Sequence, residues 1–314
     1  MSEIVAVDIG GTHARFALAE IEGGQVASLG EPFTVRTADH DGLESAWAAF
    51  GRQIGRPLPS DAGIAVAATL GGETISLTNH DWVIHTGRIP AARVRLINDF
   101  GAVAYAVARL GPEHFRHVRG PDRPLPEEGA ITVVGPGTGL GAAMLLRRGG
   151  QAHIVETEGG HIGFAAADAA EDSLLATLRA RFERVSAERI ASGPGLANLY
   201  EALGGDGGRD PAALWQAALA GEDEVAVAAF ERFCLVLGSV AGDLALAQGA
   251  DAVAIAGGLG LRLADRLPRS GFGERFAAKG RYRARMEAMP VKLVTYPQPG
   301  LYGAAAAFAE EFGG

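Results

Sequence analysis

A single cysteine, Cys234, stands in 314 residues, which excludes an internal disulfide framework and a cysteine-rich zinc site. Within "FCLVLG" it reads as a small buried hydrophobe rather than a reactive thiol. Positive charge is also short: 28 Lys and Arg face 37 Asp and Glu, a net charge of −9. That balance opposes nonspecific attraction to nucleic acid or to an anionic membrane. The N-terminus lacks a basic segment before a long apolar stretch, so no signal peptide is read. The most apolar region, about 225–256, is interrupted by Glu231, Arg232, Asp243 and Asp251, unlike a membrane span. The chain is expected to be cytoplasmic, with neither a nucleic-acid nor a membrane partner. Two catalytic signatures are missing as well. No Gly-x-x-x-x-Gly-Lys-Ser/Thr loop occurs, and no Gly-x-Ser-x-Gly turn offers a hydrolase nucleophile.

What the chain does have is glycine, 45 residues, clustered at the ends of apolar runs. The pattern predicts strands over 3–9, 13–20, 25–29 and 32–37, a helix over 41–55, strands over 62–68 and 94–97, and a helix over 100–110. "GPDRPLPEEG" (120–129) is a proline-rich surface connection. The pattern then restarts with strand 130–134, a turn at 135–139 and strand 140–146. Both "VDIGGTHARFAL" and "VVGPGTGLG" are apolar strand, Gly-Thr turn, second strand, which suggests two related domains. Helices follow over 171–183, about 194–203, 211–220 and near 222–248, then strands over 252–256 and 291–296 and a closing helix over 301–313.

The glycine turns let backbone N–H groups converge on an anion. One such turn alone is as well read as a simple hairpin. Two of them, with Gly257-Gly258 before a helix, shift the reading toward a nucleotide. "GPGTGLG" leads into a strand where a dinucleotide fold needs a helix, which disfavours a dehydrogenase. Asp8 ends the first buried strand beside such a turn. A carboxylate there would repel phosphate unless a cation intervenes, so Asp8 is the candidate Mg2+ ligand, directly or through water; a turn-forming aspartate is the alternative. In "LINDFGAVA", Asp99 is either a helix N-cap or a base that takes a proton from an attacking hydroxyl, with Asn98 binding a hydroxyl beside it. "TEGGHIGF" brings Glu158 and His161 around two glycines, which suits a polyol, since its hydroxyls need both donors and acceptors. Zinc is excluded there for want of further ligands. Glu188 in "SAERIASGPG" stays open: a functional acid, or an exposed glutamate in a helix capped by Ser186.

Taken in order, "VDIGGTHARFAL", "TNHDW", "LINDF", "GPGTGLG", "EGGHIGF", "SAERIASGPGLANLY", "AIAGG" and "QPGLYGAAA" resemble the bacterial ATP-dependent glucokinase family over essentially the whole chain. The resemblance implies an α/β fold of the actin-like ATPase/hexokinase superfamily, with two ribonuclease-H-like domains around a central cleft. It places 1–109 plus 299–314 in a small domain and 110–298 in a large one. It implies glucose held by Asn98, Asp99, Glu158, His161 and Glu188, with Asn79 a further candidate contact and Asp99 the base for the 6-hydroxyl. ATP phosphates would meet Val7, Asp8, Ile9, Gly10, Gly11 and Thr12 on one side and Gly137, Thr138 and Gly139 on the other, with Gly257 and Gly258 near the nucleotide. Closure over sugar and a homodimer are also implied. His80 and Trp82 either line the sugar side or, for Trp82, pack as an aromatic. Two departures stand out. His13 replaces the family's usual asparagine, and "FAAADAAED" stands where a related sugar-kinase and repressor family carries cysteines, so no structural zinc is expected. A kinase for another hexose is the alternative activity. A sugar-sensing regulator would need a DNA-binding module, and the first expected strand begins by residue 3.

Overall fold

The computed structural model describes residues 1–77 and 80–313. Its chain divides into two compact units, Met1–Leu110 with Tyr296–Gly314, and Gly111–Thr295. The first holds β1 (Ser2–Ile9), β2 (His13–Glu22), β3 (Gln25–Leu29), β4 (Phe33–Arg36), α1 (Leu43–Ile54), β5 (Asp61–Val66), a small hairpin of β6 (Thr74–Ser76) and β7 (Val83–His85), β8 (Arg93–Asn98) and α2 (Asp99–Arg109). The second opens with β9 (Phe115–Arg119), β10 (Gly129–Pro136), β11 (Leu140–Arg148) and β12 (Gln151–Thr157). Helices α3 (Ala169–Arg181), α4 (Gly193–Ala202), α5 (Pro211–Ala220) and α6 (Glu224–Ala247) follow. Then come β13 (Ala252–Ile255), α7 (Gly258–Arg262), α8 (Phe272–Ala277), α9 (Arg283–Glu287) and β14 (Val291–Val294). The closing helix α10 (Pro299–Phe312) belongs to the first unit.

The two main sheets share a five-strand order, each with one further strand in a different place. In the first, the strands run β3-β2-β1-β5-β8, with β4 also on β2; in the second, β12-β11-β10-β13-β14-β9. Each unit starts with an antiparallel pair across a glycine turn, β1 with β2 and β10 with β11. The first strand of each pair also lies parallel to a later strand, β5 or β13. Repetition of this unit places the loops after β1 and β8, and those after β10 and β13, at the C-terminal edges of their own sheets, where α/β folds hold ligands.

The central strands of the first sheet, β1 and β5, are buried on both faces because helices cover both. Val5, Val7 and Ile9 of β1 point with Phe16 toward Trp47 and Phe50 of α1. Ile4 and Ala6 point the other way, onto Leu301, Ala305 and Phe308 of α10. A period of two thus divides one apolar run between two cores. Helix α10 packs closely because two glycines permit it: a Cβ at Gly63 would run into the Ala304 carbonyl, and one at Gly303 into the Ala102 carbonyl of α2. Ion pairs Arg109–Glu310 (2.5 Å) and Arg95–Glu311 (2.9 Å) tie its far end to α2 and β8. In the second unit, α6 is long and apolar enough by composition to cross a membrane. Its apolar residues instead form the centre of that unit's core, packed on α4, α5 and α8.

Candidate functional site

In the first unit, Asp8 is the last polar residue of β1 and pairs across the hairpin with Arg15 of β2. The Arg15 Nη1 lies 3.5 Å from Asp8 Oδ2. Burial pushes the Asp8 carboxyl above its usual pKa, and the Arg15 charge offsets part of that rise. On its other side the carboxylate faces the first turn of α10, where a Cβ at Gly300 would come within 3.1 Å of it. The turn itself is tightly held. Gly10 N–H donates to His13 O (2.9 Å), and Thr37 donates to Thr12 O through its backbone (3.1 Å) and to Gly11 O through its hydroxyl (2.9 Å). Val7 and Ile9 are fully buried, so side-chain contact with a ligand is excluded for both, while Thr12 is exposed.

Asp99 sits two strands away on the same edge, since β5 lies between β1 and β8. Asp8 is in register with Ala65, and Ala65 with Ile97, so the lateral offset is two strand spacings, about 10 Å. The cap of α2 is Asn98, not Asp99. Its side-chain oxygen accepts from Phe100 N–H and Gly101 N–H, and its amide donates to Ala68 O at 3.2 Å. Asp99 is therefore the first helical residue, half-buried, where the helix N-terminus favours a negative charge. Capping by Asn98 replaces the N-cap reading of Asp99. Asn79 lies outside the described residues. Trp82 is a packed aromatic, 3% exposed, with its indole N–H on His40 O.

In the second unit, the remaining acids gather around one turn. His161 Nε2 lies 3.9 Å from Glu158 Oε2, and His161 Nδ1 lies 4.0 Å from Glu188 Oε1. Buried Gly159 and Gly160 let this turn sit on β11, since a Cβ at Gly160 would strike the Leu140 carbonyl. Glu188 is half-buried within a short 3-10 turn, and the Ser186 side chain caps nothing. The exposed-glutamate reading therefore fails, because α4 starts later and is capped by Ser192. Glu188 Oε2 instead accepts from Leu140 N–H at 3.0 Å, next to the turn of Gly137, Thr138 and Gly139. Gly257, at φ 88°, approaches the Pro136 carbonyl so closely that a Cβ would come within 2.9 Å. The two glycine turns, Gly137–Gly139 and Gly257-Gly258, thus meet in one unit, together with Glu158, His161 and Glu188.

Arg15 and Gly300 were missed by sequence reasoning. The first was legible, because a hairpin turning at Gly11-Thr12 pairs residues whose numbers sum to a constant, and that puts Arg15 opposite Asp8. Gly300 had no such signal, being remote in sequence from the strand it serves.

No group of three or more His, Cys, Asp or Glu suited to a metal ion occurs among the described residues. A single strand-end carboxylate fits Mg2+, which takes one or two carboxylates and completes its shell with water and phosphate.

A glucokinase family model matches residues 5–311. The chain is 56% identical over 319 aligned residues to a glucokinase of Zymomonas mobilis, covering 99% of this chain and 98% of that one. It is 40% identical to a glucokinase of Caulobacter vibrioides, covering 97% and 94%. Among solved structures, a glucokinase from an Antarctic psychrotroph superposes with a TM-score of 0.83 at 36% identity, over 98% of each chain.

Proposed function

Since this chain belongs to the glucokinase family, we propose that it transfers the terminal phosphoryl group of ATP to the 6-hydroxyl of D-glucose with Asp99 as the base. The products are glucose 6-phosphate and ADP. Its fold is that of the actin-like ATPase superfamily of sugar kinases. One observation carries the assignment of the base: Asp99 is the half-buried first residue of α2 at the end of β8, where Phe100 N–H donates to its Oδ1 at 2.8 Å and fixes the carboxylate. Proton removal by a positioned carboxylate contributes about 10²–10⁴ in rate, and phosphoryl transfer otherwise depends on positioning and charge neutralisation.

Glu158, His161 and Glu188 supply acceptors and a donor for sugar hydroxyls, and Asn98 contacts a hydroxyl beside Asp99. The turns Gly10–Thr12, Gly137–Gly139 and Gly257-Gly258 take the phosphates and nucleotide through backbone N–H groups other than those of Gly10 and Gly137, which close their own turns. Asp8 holds Mg2+, directly or through water, and Arg15 sets the orientation of that carboxylate. When bound, the ion neutralises phosphate charge. A homodimer in the cytoplasm completes the reading, and light scattering of the purified chain tests the dimer.

A panel of hexoses in a coupled ADP assay tests the substrate. Glucose should give the highest kcat/KM, since a site built on particular hydroxyls discriminates by about 10⁴ or more. Higher kcat/KM for mannose or an amino sugar would overturn the assignment of glucose. EDTA should abolish transfer, and Asp8→Asn should raise the Mg2+ concentration needed for half-maximal rate.

A further inference from the structure

The nucleotide turn of the second unit is held at both ends by one short segment, 188–193. Glu188 Oε2 accepts from Leu140 N–H at 3.0 Å. Gly193 N–H donates to Gly137 O at 2.7 Å. Between these anchors lie only Thr138 and Gly139, and Gly137 N–H closes the turn on Gly139 O at 2.8 Å. The anchoring segment is itself fixed from behind. Trp215 of α5 donates its indole N–H to Gly193 O at 3.1 Å, and its ring packs edge-on against Phe230 and Phe233 of α6. Gly139 sits so close to the Glu188 carboxylate that a Cβ there would collide with it. The first amides of α4 are engaged in this work: Gly193 N–H on Gly137, Gly195 N–H on Ser192 Oγ, and Pro194 has none.

We propose that Glu188 and Trp215 are positioning residues for the nucleotide turn, so that Glu188 links sugar recognition to nucleotide affinity. The proposal rests on the reading of Glu188 as a sugar contact and of Gly137–Gly139 as a phosphate turn. One carboxylate oxygen serves the turn while the other faces His161. A sugar hydroxyl that donates to the second oxygen fixes the rotamer that anchors Leu140. Glucose therefore tightens nucleotide binding, and the nucleotide tightens glucose binding by the same factor.

Binding of ADP with Mg2+ is measured by titration calorimetry without glucose and then at saturating glucose. Glu188→Ala should weaken sugar-free ADP binding by about tenfold, the effect of losing a charge-assisted hydrogen bond, and should erase the gain that glucose gives. Glu188→Gln keeps an acceptor for Leu140 N–H and should restore sugar-free ADP affinity to within about twofold of wild type. Trp215→Phe keeps the ring but removes its N–H. It should weaken ADP binding by about threefold or more while leaving glucose affinity unchanged. ADP affinities in Glu188→Ala and Trp215→Phe that both match wild type would overturn the positioning role. Unchanged glucose affinity in Glu188→Ala, with weakened ADP binding, would instead remove the sugar contact and with it the linkage. Failure of wild type to bind ADP would remove both readings.

Discussion

Replacement of Glu171 by alanine should destabilise the second unit strongly. Glu171 lies in the first turn of α3 with its side chain 1% exposed. It accepts from Ala167 N–H at 2.8 Å, from Arg232 at 2.9 Å and from Arg275 at 3.1 Å. Both guanidinium groups also reach Asp168 at 2.6 Å. The cluster thus joins α3 to α6 and α8, directly after the Glu158 and His161 turn. Without Glu171, two largely buried cations share one carboxylate that is 38% exposed. Removing one partner of a buried ion pair costs about 3–5 kcal/mol. At about 2–4 °C per kcal/mol for a domain of this size, Tm should fall by about 10 °C, read by calorimetry of the full chain. Glu171→Gln keeps the acceptor for Ala167 N–H and should lose roughly half as much. The effect should persist at high salt, because buried pairs are screened little. A drop below about 2 °C would show that both guanidinium groups recover their partners from water and that the cluster behaves as surface pairs do.

Other outcomes follow from single sites. Asp99→Asn should lower kcat by about two orders of magnitude or more with glucose binding largely kept, and unchanged turnover would remove Asp99 from its role. Burial would raise the Asp168 carboxyl, but the Glu171 N–H and the Arg232 and Arg275 guanidinium groups hold it at about 2. Its folded value lies below the unfolded one near 3.9, so its stabilisation is present above about pH 4 and is lost as pH falls toward 2. Asp168→Asn should flatten acid unfolding in that window. Burial pushes the Cys234 thiol up to about 12, so a thiol reagent should label the native chain only as fast as it opens. Gly303→Ala forces a Cβ into the Ala102 carbonyl. It should cost about 1–3 kcal/mol in urea unfolding, and an unshifted midpoint would refute the close approach of α10 to α2.

The alternating apolar runs and glycine turns already gave the order of most elements. β1, β5 and β10 carry runs of apolar residues, and a strand buried on both faces leaves no other place for them. The strands missed, β9, β12 and the small hairpin β6–β7, were of another kind. β12, "QAHIVET", is an edge strand with polar residues on both faces, and β9, "FRHVR", is the opposite edge. An edge strand gains its place by hydrogen bonding to a neighbour, and that neighbour is not visible in its own composition. Likewise the ends of "LIND" were ambiguous, because Asn98 and Asp99 are equally good caps and only the backbone path decides which of them bends into α2.

By itself the sequence determined which side chains are chemically able to act: an acid at the end of a buried strand, a second acid at a strand–helix junction, and a glutamate and histidine around two glycines. Those choices depend on residue type and local spacing, which the chain carries in linear order. Tertiary structure alone decided who holds them. Gly300 clears the space for Asp8 from almost 300 residues away, and Glu188 holds the turn before Leu140 across 48 residues. Such contacts arise when packed helices and sheets bring distant backbone within hydrogen-bond range. No local pattern encodes them.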